Sequence, residues 1–198
     1  MRVIGGESRG RRIKAPRGMG TRPMRDFVRE AVFSMLGDRV RGARVLDLFA
    51  GSGSLGLEAL SRGAVAAVFV DRGRDPTRVI QENLDILGMK GRGRVVRAEI
   101  LDFLRRYAPP DEPFDLIFID PPFRIDVNYR QEVLNKLIEG GFLGPSSVVI
   151  MQAPLRVPVT EPPPGLEFRE RRKYGESAVD VYMKMENDVK EAGEEGGR

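Results

Sequence analysis

Residues 44–56 read RVLDLFAGSGSLG, and the fold follows from how this stretch is divided. Its first part, 44–50, is an apolar run suited to a strand covered on both faces. The second part sets Gly51, Gly53 and Gly56 in a G-x-G-x-x-G spacing, and 55–60 reads as the opening of a helix. Glycine is required where a backbone turns sharply and where it must approach a ligand with no Cβ in the way. Asp71 ends the next strand-like run, twenty positions after Gly51, where a carboxylate can accept hydrogen bonds from ribose hydroxyls. Strand, glycine loop, helix and acid together predict a nucleoside-binding site. Asp47 adds a carboxylate at the mouth of the same pocket, which disfavours a pyrophosphate and suits an ammonium group. S-adenosylmethionine presents such an ammonium and is the expected cofactor. The structural alternative for Asp47 is a helix-capping role.

On either side of this stretch the chain alternates short apolar runs with helical periodicity, the signature of an α/β fold. Further strands are expected at 66–71, 94–98, 114–120 and 147–152. An opening helix spans 26–37, with Phe27, Val28, Ala31, Val32, Met35 and Leu36 on one face and Asp26 as its cap. A second spans 76–87, capped by Asp75 and ended by Gly88, with Val79, Ile80, Asn83, Leu84 and Leu87 facing inward. A third covers 128–139. After a Pro-rich loop at 153–165, two strand-like segments at 166–174 and 177–185 flank Gly175-Glu176 as a terminal hairpin. The expected architecture is five parallel strands with interleaved helices, closed by an antiparallel pair.

The chain of 198 residues has no cysteine, histidine or tryptophan. Disulfides, thiolate nucleophiles, Cys-ligated metals and histidine acid–base chemistry are therefore excluded, and no metal is expected. The longest apolar run, 64–70, is seven residues, against the roughly 20 of a membrane span. A soluble, cytoplasmic protein is the expectation. The net charge of +4 is unevenly spread: residues 1–25 carry eight basic side chains against Glu7 alone, a local +7, and the rest of the chain is −3. Clustered basic charge is the footprint of phosphate binding, so Arg9, Arg11, Arg12, Lys14, Arg22 and Arg25 are candidate RNA contacts; a solvated, mobile terminus is the alternative. The division is thus a basic extension at 1–25, a catalytic domain at 26–185 and an acidic, disordered tail at 186–198.

The fourth strand delivers Asp120-Pro121-Pro122-Phe123 at its carboxyl end, beside the crevice where open α/β sheets bind ligands. The prolines stiffen the turn and lack N–H groups, so the Asp120 carboxylate and the Pro121 carbonyl present two rigid acceptors. Two acceptors fit the two hydrogens of one exocyclic amine, and Phe123 can stack on its base. Asp120 is also a candidate proton acceptor. Methylation of a pyrimidine C5 usually requires a thiolate adding to the ring, so without a cysteine amine or other direct attack remains.

With these residues in view, the sequence resembles the RsmD-type family of bacterial 16S rRNA guanine-N2 methyltransferases, class I S-adenosylmethionine enzymes with a Rossmann-like sandwich. The resemblance covers about residues 1–185 and rests on RVIGGESRGRRIKAP, TRPMRDFVREAVFSML, DLFAGSGSLGLEALSRGA, DPPF and the late RKYGE. It implies that Asp47, Phe49, Gly51, Ser52 and Gly53 line the methionine side of the cofactor. It implies too that Asp71, with Arg72 beside it, holds the ribose, and that Glu99 and Ile100 contact the adenine. Asp120, Pro121 and Phe123 would grip the guanine amine, and the basic extension would dock the small ribosomal subunit or its assembly intermediate. Met24, Glu99 and Met151-Gln152 depart from the family pattern, which commonly has Thr, Asp and Glu-His there. Three rival readings stand beside this one. They are an amino-methyltransferase for adenine or cytosine N4 of another RNA or DNA, an NAD-dependent oxidoreductase, and a nonenzymatic RNA-binding assembly factor.

Overall fold

The computed structural model describes residues 1–17, 26–107 and 112–185. Met24, Arg22, Arg25 and the 186–198 tail therefore lie outside the described residues. The expected helices and strands appear as α1 (Asp26–Leu36), β1 (Arg44–Leu48), α2 (Ser54–Ser61), β2 (Ala66–Asp71), α3 (Arg74–Leu87) and β3 (Gly93–Arg97). They continue, after a helix α4 (Ile100–Arg106) that was not expected, as β4 (Phe114–Ile119), α5 (Val127–Glu139), β5 (Leu143–Pro154), β6 (Leu166–Tyr174) and β7 (Ser177–Lys184). The sheet order is β3-β2-β1-β4-β5-β7-β6. Strands β1 to β5 pair in parallel, and β7 joins β5 and β6 antiparallel.

Strand side chains alternate between the two faces, and two apolar cores result. One core joins the sheet to α1, α2 and α3 through Val32, Phe33, Leu57, Leu60, Ile80 and Leu84. The other joins it to α4 and α5 through Phe103, Leu104, Val133, Leu134 and Leu137. Because β1 is central, with β2 on one side and β4 on the other, the strand order reverses at its carboxyl end. That is where doubly wound sheets open a crevice.

Four details differ from the sequence reading. In α1 the buried face is Val28, Arg29, Val32, Phe33 and Leu36; Phe27 is 50% exposed and meets Tyr174 edge-on, with ring centroids 6.1 Å apart. Helix α3 begins at Arg74 after Gly73, not at Pro76; Asp75 accepts from Arg17 N and pairs with Arg78, so it does not cap. Helix α4 has no side-chain cap to mark it in the sequence, and Glu99 precedes it in extended conformation. Strand β5 starts four residues earlier than expected, across Gly144-Pro145-Ser146, because a bulge absorbs the irregular stretch and Ser147 Oγ donates to Phe114 O.

The N-terminal residues are part of the body. Val3 and Ile13 are buried in the α1–α3 core. An antiparallel bridge joins Arg2 to Arg12. The backbone N–H groups of Ile4 and Gly5 both donate to the Glu58 carboxylate, at 2.8 Å each. Among the described residues, no helix is long and apolar enough to cross a membrane, and no cluster of three or more Asp or Glu side chains is arranged to hold a metal.

Candidate active site

Register brings the candidate residues to one edge of the sheet. Leu48 pairs with Val70 of β2 and with Ile119 of β4, and Asp71 pairs with Arg97 of β3. The residues that follow, Phe49, Asp71, Glu99 and Asp120, therefore stand at the carboxyl ends of four adjacent strands.

The glycine loop turns through a backbone region that L side chains rarely adopt: φ is +60° at Phe49, +57° at Gly51 and +77° at Gly53. A non-glycine residue there is strained by about 1–3 kcal/mol, and such strain gathers at ligand sites. The third glycine serves packing. A Cβ on Gly56 would lie 2.3 Å from Phe69 Cε1, so α2 can approach β2 only without one. Asp71 holds the loop from the next strand, its Oδ2 accepting from Gly51 N at 2.9 Å and its Oδ1 from Gly73 N at 2.8 Å.

Asp47 is 1% exposed, and its Oδ2 accepts from Gly56 N at 2.9 Å in the first turn of α2. The capping interaction is thus present. Burial pushes this carboxyl well above the usual Asp range; the Gly56 N–H opposes the shift, and the charges of Asp120 and Asp71 add to it. The charge of Asp120, at the end of the neighbouring strand β4, acts on Asp47. The Asp120 N–H reaches Leu48 O at 3.4 Å. Pro121 is buried, and Phe123 is 48% exposed on a turn closed by Ile125 N donating to Pro122 O.

Farther along the edge, Arg72 pairs with Glu99 at 3.1 Å. Ser52 and Ile100 point inward: Ser52 is 2% exposed with its hydroxyl on Met1 Sδ, and Ile100 belongs to the α4–α5 core. Two residues near the loop had no site role in the sequence reading. Tyr129, from α5, sets its ring 6.2 Å from that of Phe49; burial, then the Glu99 charge, raise its pKa. Asn83 is buried, exchanges hydrogen bonds with the Lys14 backbone and donates to Ser52 O. A polar residue on the apolar face of α3 was its only signal. Of the basic candidates, Arg11 donates to the Leu87 and Ile86 carbonyls and Lys14 pairs with Glu82. Arg9 and Arg12 are exposed and make no ion pair with any described residue.

The family described as Conserved hypothetical protein 95 matches residues 1–183. The chain belongs to this family. The ribosomal RNA small subunit methyltransferase D of Escherichia coli K12 is 34% identical over 184 residues, 93% of this chain and 90% of that one. The enzyme of the same name from Haemophilus influenzae is 34% identical over 164 residues, 82% and 83% of the two chains. Among solved structures, the yhhF protein of E. coli superposes with a TM-score of 0.81 at 34% identity, covering 93% of this chain and 97% of that one. The likeness to RsmD-type enzymes is borne out, as is the class I methyltransferase fold. A methyltransferase complexed with S-adenosylhomocysteine shares that fold at 14% identity and a TM-score of 0.63.

The residues of this Conserved hypothetical protein 95 member fit S-adenosylmethionine. The loop from Asp47 to Gly56 offers glycine backbone, hydroxyls and a buried carboxyl. A cavity of about 330 Å³ lined by Arg39, Arg41 and Asp115 lies at the opposite ends of the strands.

Proposed function

We propose that this protein transfers a methyl group from S-adenosylmethionine to the exocyclic N2 amine of one guanine in 16S rRNA. The substrate is the small ribosomal subunit or its assembly intermediate, in the cytoplasm. One observation carries the reading: the parallel register sets the glycine loop and Asp71 level with Asp120 at the switch point of a methyltransferase fold. The names of the E. coli and H. influenzae relatives support an rRNA substrate.

When bound, the cofactor supplies an electrophilic methyl group on a sulfonium. Asp71 accepts the ribose hydroxyls, Asp47 faces the ammonium, and Glu99 stands at the adenine side. Asp120 Oδ and the Pro121 carbonyl each accept one hydrogen of the amine while Phe123 stacks on the base, which orients a weakly nucleophilic nitrogen for direct attack. Asp120 then takes the proton that the nitrogen sheds. Arg9 and Arg12 present charge to the RNA backbone.

The test is methyl incorporation into small-subunit particles that lack the modification, followed by nucleoside analysis. N2-methylguanosine is expected; a methyl group on any other atom overturns the base assignment.

A further inference from the structure

Gln152 lies one step beyond Met151, the β5 residue paired with Ile119 of β4, and is therefore level with Asp120 one strand away. Met151 packs in the α4–α5 core and Ile150 in the α1–α3 core. Alternation along the strand turns Gln152 to the α1–α3 side, the side on which Asp47 meets the first turn of α2. Gln152 is 5% exposed, and its Oε1 is buried with no hydrogen-bond partner among the described residues. Its neighbour across the β5–β7 ladder is Val179, which offers no side-chain donor. A buried amide oxygen left without a donor is destabilising, and such a group is explained when a ligand brings the donor.

A guanine held by N2 at Asp120 brings one. Moving along the same edge of the base from N2, the next groups are the N1–H donor and the O6 acceptor, the complement of a carboxamide. An adenine held by its N6 offers only the N1 acceptor on that side. Resting on the guanine-N2 reading above, we propose that Gln152 is a specificity-determining residue. Its Oε1 accepts N1–H and its Nε2 donates to O6, while the tetrad holds the amine.

The experiment compares particles carrying guanine at the target with particles carrying 2-aminopurine, which keeps the N2 amine but has an N1 acceptor and no O6. Wild type and Gln152→Met are assayed on both, and both are melted without ligand. The intrinsic difference between the two amines divides out when the guanine to 2-aminopurine ratio of kcat/KM is compared between proteins. Loss of two hydrogen bonds predicts that Gln152→Met lowers this ratio roughly 10–100-fold, with the 2-aminopurine rate within about threefold of wild type. The melting temperature is expected to hold or rise, because an orphaned amide has been replaced by an apolar chain. An equal loss on both substrates, or a lowered melting temperature with an unchanged ratio, assigns Gln152 a structural role and overturns the proposal. Absence of N2-methylguanosine from the wild-type product overturns the guanine reading first, and is seen separately.

Discussion

The proposal gives Asp120 and Asp47 opposite tasks, and each yields a prediction. If Asp120 grips the substrate amine as proposed, Asp120→Ala should keep its affinity for S-adenosylhomocysteine by calorimetry while turnover falls about 10²–10⁴-fold. Unchanged turnover would remove Asp120 from the chemistry. Asp47 is proposed to face the cofactor, and burial raises its carboxyl well above the roughly 3.9 of a free Asp. It must ionise to meet an ammonium. Affinity for S-adenosylhomocysteine should therefore tighten as pH rises through the native Asp47 titration, with a proton released on binding. In the unliganded protein the sign reverses. Between the unfolded and native values the folded chain holds a proton that the unfolded chain has lost, so stability falls as pH rises there. A pH-independent affinity, or an Asp47→Asn variant that binds as wild type, would confine Asp47 to its contact with Gly56. Residues of this kind were legible in the sequence because chemistry restricts their type. The inward turn of Ser52 was not, since one side chain's direction depends on what packs against it, here Met1.

Among elements, the N-terminal hairpin departs most from its sequence reading. Charge alone marked it as an extension, but two of its apolar side chains sit in the core and Glu58 of α2 accepts two of its backbone N–H groups. The same carboxylate lies 3.7 Å from Arg29 Nε, with both side chains almost fully buried. Glu58→Ala leaves that guanidinium without its buried partner and should destabilise the protein by about 3–5 kcal/mol in thermal or denaturant unfolding. Within the hairpin the arginines divide by role. Arg11 closes the carbonyl end of α3, so Arg11→Ala should lower the melting temperature. Arg9→Ala and Arg12→Ala should leave melting unchanged and flatten the salt dependence of RNA binding, by a slope of roughly 0.7–0.9 per lost phosphate contact. An unaltered slope would make these two arginines bystanders. Net charge showed that the segment was basic; which guanidinium reaches an internal carbonyl depends on tertiary contacts that composition does not encode.

Across the whole molecule, parallel strand order and helix positions were legible because buried strands are apolar throughout and their helices carry a 3.6-residue stripe. Helix α4 was not legible, being seven residues long without a side-chain cap. The candidate site emerges from register, which no single motif contains: Leu48 between Val70 and Ile119 is what makes the glycine loop, Asp71 and the Asp120-Pro121-Pro122-Phe123 turn neighbours. The close packing behind that loop is testable. Gly56→Ala drives a methyl group against Phe69 and should lower stability by about 1–3 kcal/mol while weakening cofactor binding. The most direct measurement is a structure of the protein with S-adenosylhomocysteine. The ribose is expected on Asp71, with the sulfur facing the Asp120 carboxylate and Pro121 carbonyl across one pocket. A sulfur turned away from that pair, or a ligand seated elsewhere, would contradict it.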